Sequence, residues 1–182
     1  MYDGKNDIKK VEAMYIKTQR LEIKPISQDD KEAVLDLLTS EIVGRTYMLP
    51  PFKSRQEAEP LFQRLVKLTN DESRCAAGVY LDGHFIGMMN DVERKDGQIE
   101  MGYAYIPDYY NRGYATEAFS GAISWLFNHG FETVVAGAFE INPASMRVME
   151  KCGMRKQDYT DEIEYRGVTH TCIYYAISKN TD

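Results

Sequence analysis

The chain predicts a mixed α/β (α+β) fold, a mostly antiparallel central sheet with helices on both faces. Three observations carry that prediction. Asp-Gly pairs at 82–83 and 96–97 separate alternating apolar runs at hairpin spacing. Residues 131–139 are almost continuously apolar after Glu132, as expected of a strand buried on both faces. That run directly follows a helix-period segment, which itself follows a strand. Strand, helix and strand should therefore form a right-handed parallel crossover.

Taken in order, residues 15–26 alternate and predict a first strand with Leu21 and Ile23 inward. Ser27 reads as a helix N-cap, and Asp30 completes a capping-box pattern. Val34, Leu37 and Leu38 line the helix that follows. Residues 39–53 have no period and hold Gly44, Pro50 and Pro51. A loop of that length is either a binding loop or simply a long connection. Ser54 with Glu57 marks a second capping box leading into Leu61, Leu65 and Leu68. Pro60 within that pattern predicts a kink or a restart at its own position.

Residues 74–81, 84–93 and 98–106 predict three strands of an antiparallel meander. In the third, Ile99, Met101, Tyr103 and Tyr105 fall on one side, and Pro107 ends the ladder because it has no N–H to donate. Ala115, Ala118, Phe119, Ala122, Ile123 and Leu126 then form one apolar stripe at helical spacing, with Gly130 as a left-handed stop. Beyond the buried run, Asn142 caps a short helix with Pro143 at its first position and Gly153 at its end. Strands at 157–166 and 169–177 turn around Gly167. The resulting order is β-α-α-β-β-β-α-β-α-β-β. Ligands favour crevices at strand C-terminal ends, where connections diverge.

The loop at the parallel step, with Asn111, Arg112, Gly113, Tyr114 and Ala115, has the makings of an anion site. The first N–H groups of a helix lack partners within it and carry the positive end of its dipole. Gly113 and Ala115 allow close approach to the backbone, and Arg112 adds a fixed charge. A pyrophosphate suits such a site; the alternative is an ordinary turn with glycine there for geometry. Neither G-x-x-x-x-G-K-[ST] nor G-x-G-x-x-G occurs, which argues against a P-loop hydrolase and a dinucleotide fold.

Bulk properties narrow the classes further. The 182 residues, 43% hydrophobic and 27% charged, fit one domain over residues 15–182, with residues 1–14 as a frayed tail. A net charge of −6 argues against a nucleic-acid partner. Cys75, Cys152 and Cys172 are odd in number and widely spaced, which points to a reducing, cytoplasmic setting without a disulfide framework. No Cys-x-x-Cys pair occurs and histidine is restricted to His84, His129 and His170, so no metal site is expected. No run is apolar enough to span a membrane, and the polar start does not read as a signal peptide. An edge strand leaves a homodimer open.

Two motifs now stand in order, Tyr109-Tyr-Asn-Arg-Gly-Tyr-Ala-Thr-Glu-Ala118 and Asn142-Pro-Ala-Ser-Met-Arg-Val-Met-Glu-Lys-Cys-Gly-Met154. Together they resemble the GCN5-related N-acetyltransferase (GNAT) superfamily, and look most like its ribosomal-protein N-terminal (alanine) acetyltransferase branch. Thr18-Gln-Arg-Leu-Glu-Ile-Lys-Pro25 looks like that branch's opening strand. The resemblance implies the GNAT fold, with strands splayed at an acetyl-CoA site, and acetyl transfer to a small-molecule or peptide amine. It places the pantetheine arm along Ala104, Tyr105 and Ile106. The pyrophosphate falls on the N–H groups of Asn111, Arg112, Gly113, Tyr114, Ala115 and Thr116. Asn142 would hydrogen-bond the arm, and Ser145 would lie near the sulfur. Lys151 matches the family lysine, as cofactor contact or helix cap. Three positions depart from the family pattern. Tyr110 replaces a Gln or Arg, Asn111 a frequent Gly, and Met149 the tyrosine that protonates the thiolate in many relatives.

Acetyl transfer needs an amine held against the carbonyl, a route for its proton and donors for the thiolate and carbonyl oxygen. Glu100 is the first candidate base, on the strand that carries the cofactor arm, and Gly102 after it predicts a bulge. A backbone N–H freed by that bulge could polarise the thioester carbonyl. Glu140 is the fallback base. Ser145 is the candidate donor to sulfur, and Cys152 reads as a small buried hydrophobe. Most of Tyr103, Tyr105, Tyr109, Tyr110 and Tyr114 read as packing. The rival function is a non-catalytic acyl-CoA-binding sensor or scaffold. A third possibility is transfer of another acyl group, such as succinyl.

Overall fold

The computed structural model describes residues 12–179. Eight strands form one sheet: β1 (Ile16–Lys17), β2 (Leu21–Lys24), β3 (Ala76–Leu81), β4 (His84–Lys95), β5 (Gln98–Tyr105), β6 (Thr133–Phe139), β7 (Arg155–Tyr165) and β8 (Val168–Ser178). Their spatial order is β1-β2-β3-β4-β5-β6-β8-β7. Every neighbouring pair is antiparallel except β5 with β6. The α-helices are α1 (Lys31–Thr39), α2 (Arg55–Thr69), α3 (Tyr114–Asn128) and α4 (Pro143–Lys151).

The two faces of the sheet carry separate cores. On one, Ile99 and Met101 of β5 pack with Ala118, Phe119 and Leu126 of α3 and Met149 of α4. On the other, Ala104 of β5 joins Tyr80, Phe85 and Met88 under Val34, Leu37 and Phe62 of α1 and α2. Side-chain alternation on β5 therefore separates the two helical layers. The Asp82-Gly83 and Asp96-Gly97 turns have positive φ at both positions, the type I′ geometry that matches strand twist.

Three local expectations need correction. The stretch at 15–26 is not one strand: it folds back on itself, pairing Ile16 with Ile23. The Thr18 N–H donates to the Leu21 carbonyl (3.0 Å), and the Leu21 N–H donates to Thr18 Oγ1 (3.1 Å), closing the turn. Pro60 does not restart the helix, because α2 runs through it from Arg55 to Thr69. Gln56 and Pro60 are both exposed, so the carbonyl left without an N–H faces water. The expected bulge is not on β5. Asp91 pairs with Met101 and Glu93 with Glu100, so Val92 of β4 is the extra residue. Residues 1–11 of the expected tail lie outside the described residues, while Met14 near its end is fully buried.

Candidate active site at the parallel step

β5 and β6 pair over only three positions, ending at Glu100–Val135, although both strands continue. Each strand stays bound to its outer neighbour, β5 to β4 and β6 to β8. A gap therefore opens between them. The Ile106 N–H donates to the Ile86 carbonyl (2.9 Å), away from the gap. Antiparallel alternation then turns the backbone of Ala104 toward β4 and that of Tyr103 and Tyr105 toward the gap. Among the residues expected beside the pantetheine arm, only Tyr105 presents its N–H and C=O there. Tyr103, one of the five tyrosines most of which read as packing, presents its own. An extended arm with amide groups fits the ladder positions that β6 leaves open.

The loop expected to hold an anion leads from the end of β5 into α3. Gly113 caps α3 in the left-handed region (φ 81), and Asn111 is left-handed too (φ 59). Where the resembled motif often has glycine, Asn111 is a residue type that tolerates this conformation. Asn111, Arg112 and Gly113 are exposed, and Tyr114, Ala115 and Thr116 half-buried. The first N–H groups of α3 stand at the loop's surface with Arg112 beside them.

At the start of α4, Asn142 accepts a hydrogen bond from the Ser145 N–H (3.2 Å), so its side-chain oxygen caps the helix. The Ser145 hydroxyl lies 2.9 Å from the Tyr103 hydroxyl, linking α4 to β5 across the mouth of the gap. Lys151 is in the last turn of α4, roughly 9 Å along the axis from Ser145. The Cys152 thiol meets the Thr116 carbonyl at 3.6 Å, so that end of α4 adjoins the start of α3. Lys151 therefore stands at the end of α4 that adjoins α3, a helix length away from Ser145. Burial pushes the Cys152 thiol pKa up, although a hydrogen bond from Ser120 (3.3 Å) opposes the rise, which disfavours a nucleophilic thiolate.

Glu100 faces the α1/α2 side, as do Gly102 and Ala104, and is half-buried. Burial raises its pKa, reinforced by the charges of Glu93 and Asp161. Glu93 is its direct cross-strand partner. Asp161 accepts a hydrogen bond from Tyr174 (3.0 Å), and the Tyr174 ring stacks on Tyr159. Gln98, Val135, Tyr159 and Ala176 line a shallow depression on this part of the sheet. Glu140, the fallback base, lies just past β6, within 3.7 Å of His170.

A family model described as an acetyltransferase (GNAT) domain matches residues 20–155, most of the chain. This chain belongs to the GNAT acetyltransferase family. It is similar to the uncharacterized N-acetyltransferase YoaA of Bacillus subtilis, with 26% identity across 90% of this chain and 96% of that one. The crystal structure of a GNAT-family acetyltransferase from Bacillus anthracis superposes with a TM-score of 0.79 at 25% identity, covering 91% of this chain and 98% of that one. The ribosomal L7/L12 alpha-N-protein acetyltransferase RimL, solved in complex with coenzyme A, shares the fold. Its TM-score is 0.79 at 16% identity, over 93% of this chain and 100% of that one. The protein is an N-acetyltransferase enzyme with the GNAT fold.

Two features of this GNAT enzyme have no local signal in the sequence. One is a clasp behind the anion loop. Glu117, in the first turn of α3, accepts hydrogen bonds from Thr18 Oγ1 (2.6 Å), the Arg20 N–H (2.7 Å) and Arg20 Nε (2.6 Å). Arg20 Nη1 donates to the Arg112 carbonyl (3.2 Å), and the guanidinium covers the Tyr114 ring. Burial alone raises the Glu117 pKa, but these hydrogen bonds and the Arg20 charge outweigh it and hold the carboxyl below its ordinary range. Its stabilising effect is therefore present above the unfolded-state pKa and lost as pH falls through the folded one. Glu117→Gln should cost about 2 kcal/mol at neutral pH. Thermal melts of variant and parent should converge in acid.

The other feature is the attachment of the 39–53 loop. Tyr47 packs over Gly102 beside Val92, and its hydroxyl donates to Asn90 Oδ1 (2.6 Å). Burial pushes the Tyr47 hydroxyl pKa up to about 12, so it remains a donor at neutral pH. From the end of β7, the Tyr165 hydroxyl reaches the carbonyls of Gly44 (2.7 Å), Tyr47 (3.2 Å) and Leu49 (3.0 Å) and accepts from the Leu49 N–H (3.2 Å). Nothing local in the sequence marks Tyr165, because its partners are more than a hundred residues away.

Proposed function

We propose that this enzyme transfers an acetyl group from acetyl-CoA to a primary amine, by direct attack within a ternary complex. The amine is a protein N-terminus or a small cationic amine. The observation that carries the reading is the opening between β5 and β6, with the glycine-capped start of α3 beside it. The backbone of Tyr103 and Tyr105 takes the pantetheine arm, and the residues from Asn111 to Thr116, with Arg112, take the pyrophosphate. Asn142 orients the arm, and Lys151 adds charge from the adjoining end of α4.

The acceptor enters from the α1/α2 side. Glu93, Glu100 and Asp161 make that face electronegative, which draws a protonated amine in. Glu100 takes the amine proton, directly or through one water. The nitrogen then attacks the thioester carbonyl, a C–N bond forms and the C–S bond breaks. The electron pair leaves on sulfur, where the Ser145 hydroxyl donates a hydrogen bond. The second nitrogen proton passes to the thiolate, directly or through water, which gives the N-acetylated amine and the thiol of coenzyme A.

RimL's description as an alpha-N-protein acetyltransferase supports an N-terminal peptide among the acceptors. The free thiols of Cys75, Cys152 and Cys172 support a cytoplasmic setting. No helix among the described residues is long and apolar enough to cross a membrane. A thiol-release assay over N-terminal peptides, polyamines and aminoglycosides tests the reading. Turnover with at least one of these classes is expected. Cofactor binding without turnover on any amine would favour a non-catalytic sensor.

A further inference from the structure

We infer that Tyr103 is a positioning residue for the departing thiolate: its hydroxyl holds Ser145 Oγ so that the serine proton is free to point at sulfur. This deepens the reading above and rests on its placement of the sulfur at Ser145. The Tyr103 hydroxyl is 2.9 Å from Ser145 Oγ and 3.3 Å from the Ser145 carbonyl. Its ring is wedged against Phe119 (centroids 4.9 Å apart) with Tyr105 beyond it (6.3 Å). A rigid side chain on β5 thus delivers a hydroxyl to the first turn of α4, across the mouth of the gap.

The chemistry of the two groups sets their roles. Burial raises the Tyr103 pKa, so the phenol keeps its one proton, for which Ser145 Oγ (2.9 Å) is the nearer acceptor and the Ser145 carbonyl (3.3 Å) the farther. Such a phenol is no stronger an acid than a thiol and does not supply the proton outright. It donates to Oγ, and Ser145 then donates to the thiolate, so both protons are satisfied once negative charge appears on sulfur. Met149, where many relatives carry a tyrosine, is fully buried and has no proton to give. The neighbouring Cys152 thiol already meets Ser120 and the Thr116 carbonyl.

The test uses the full chain with coenzyme A bound, following thiolate ultraviolet absorbance against pH in the parent, Tyr103→Phe, Ser145→Ala and the double variant. The bound thiol should titrate about one pH unit higher in each single variant, and no higher in the double. In turnover, Tyr103→Phe should lower kcat about tenfold with the acetyl-CoA KM within twofold. The double variant should again match Ser145→Ala. Additive shifts, or a Tyr103→Phe titration identical to the parent, would overturn the inference. A protein that shows the thiol shift yet acetylates no amine would instead sink the catalytic reading, so the two failures are distinguishable. Absence of coenzyme A binding overturns both.

Discussion

Glu100→Gln should lower kcat by about 10²- to 10³-fold and raise the thermal midpoint at neutral pH. Gln keeps the shape and hydrogen-bonding reach of the side chain but cannot accept the amine proton. Burial and the charges of Glu93 and Asp161 raise the Glu100 pKa, which makes the carboxylate a better base. The same shift opposes folding of the ionised form. Below the unfolded-state pKa the group is protonated in both states and costs nothing. As pH rises through the folded-state pKa, stability is lost. The midpoint gain from Glu100→Gln should therefore be absent in acid and grow toward neutrality. The parent's kcat/KM should climb with pH across the same window. A variant with undiminished kcat would remove Glu100 from the mechanism and move attention to Glu140.

Gly113→Asp should weaken acetyl-CoA binding roughly a hundredfold, while Gly113→Asn costs only a few-fold. Gly113 has φ 81, which Asn tolerates better than most residues, and Asn111 already adopts a left-handed φ two positions earlier. Asn and Asp are nearly isosteric, so the comparison isolates one negative charge at the start of α3. Against a pyrophosphate about 5 Å away, at an effective dielectric of about 20, that charge costs about 3 kcal/mol. Calorimetric titration with acetyl-CoA measures both constants. Equal losses in the two variants would mean that backbone geometry, rather than charge, governs the loop. Undiminished binding in both would place the pyrophosphate elsewhere.

Much of the frame is legible in the sequence because its signals are local. Two Asp-Gly pairs mark type I′ turns, Asn142 and Pro143 mark the start of α4, and Gly113 marks that of α3. The parallel step follows from chain order and crossover handedness. Long-range placement is less legible. The alternation at 15–26 suits one strand or two, and only the turn at Thr18, pinned by Glu117, selects two. A glycine at 102 pointed to a bulge on β5, whereas register puts the extra residue at Val92 on the opposing strand. Tyr103 reads as packing because most of its ring is packing; its hydroxyl matters only once α4 is set against β5.

The Tyr165 contacts carry a consequence for redesign. One side chain from the β7–β8 hairpin grips the backbone of the loop that bears Tyr47, so the loop and the end of the hairpin cannot drift independently. If the amine passes between them, directed evolution toward a bulkier one should yield paired changes, one in the loop and one in the hairpin. A library confined to the loop would keep being pulled back to the original shape by the Tyr165 hydroxyl it left untouched.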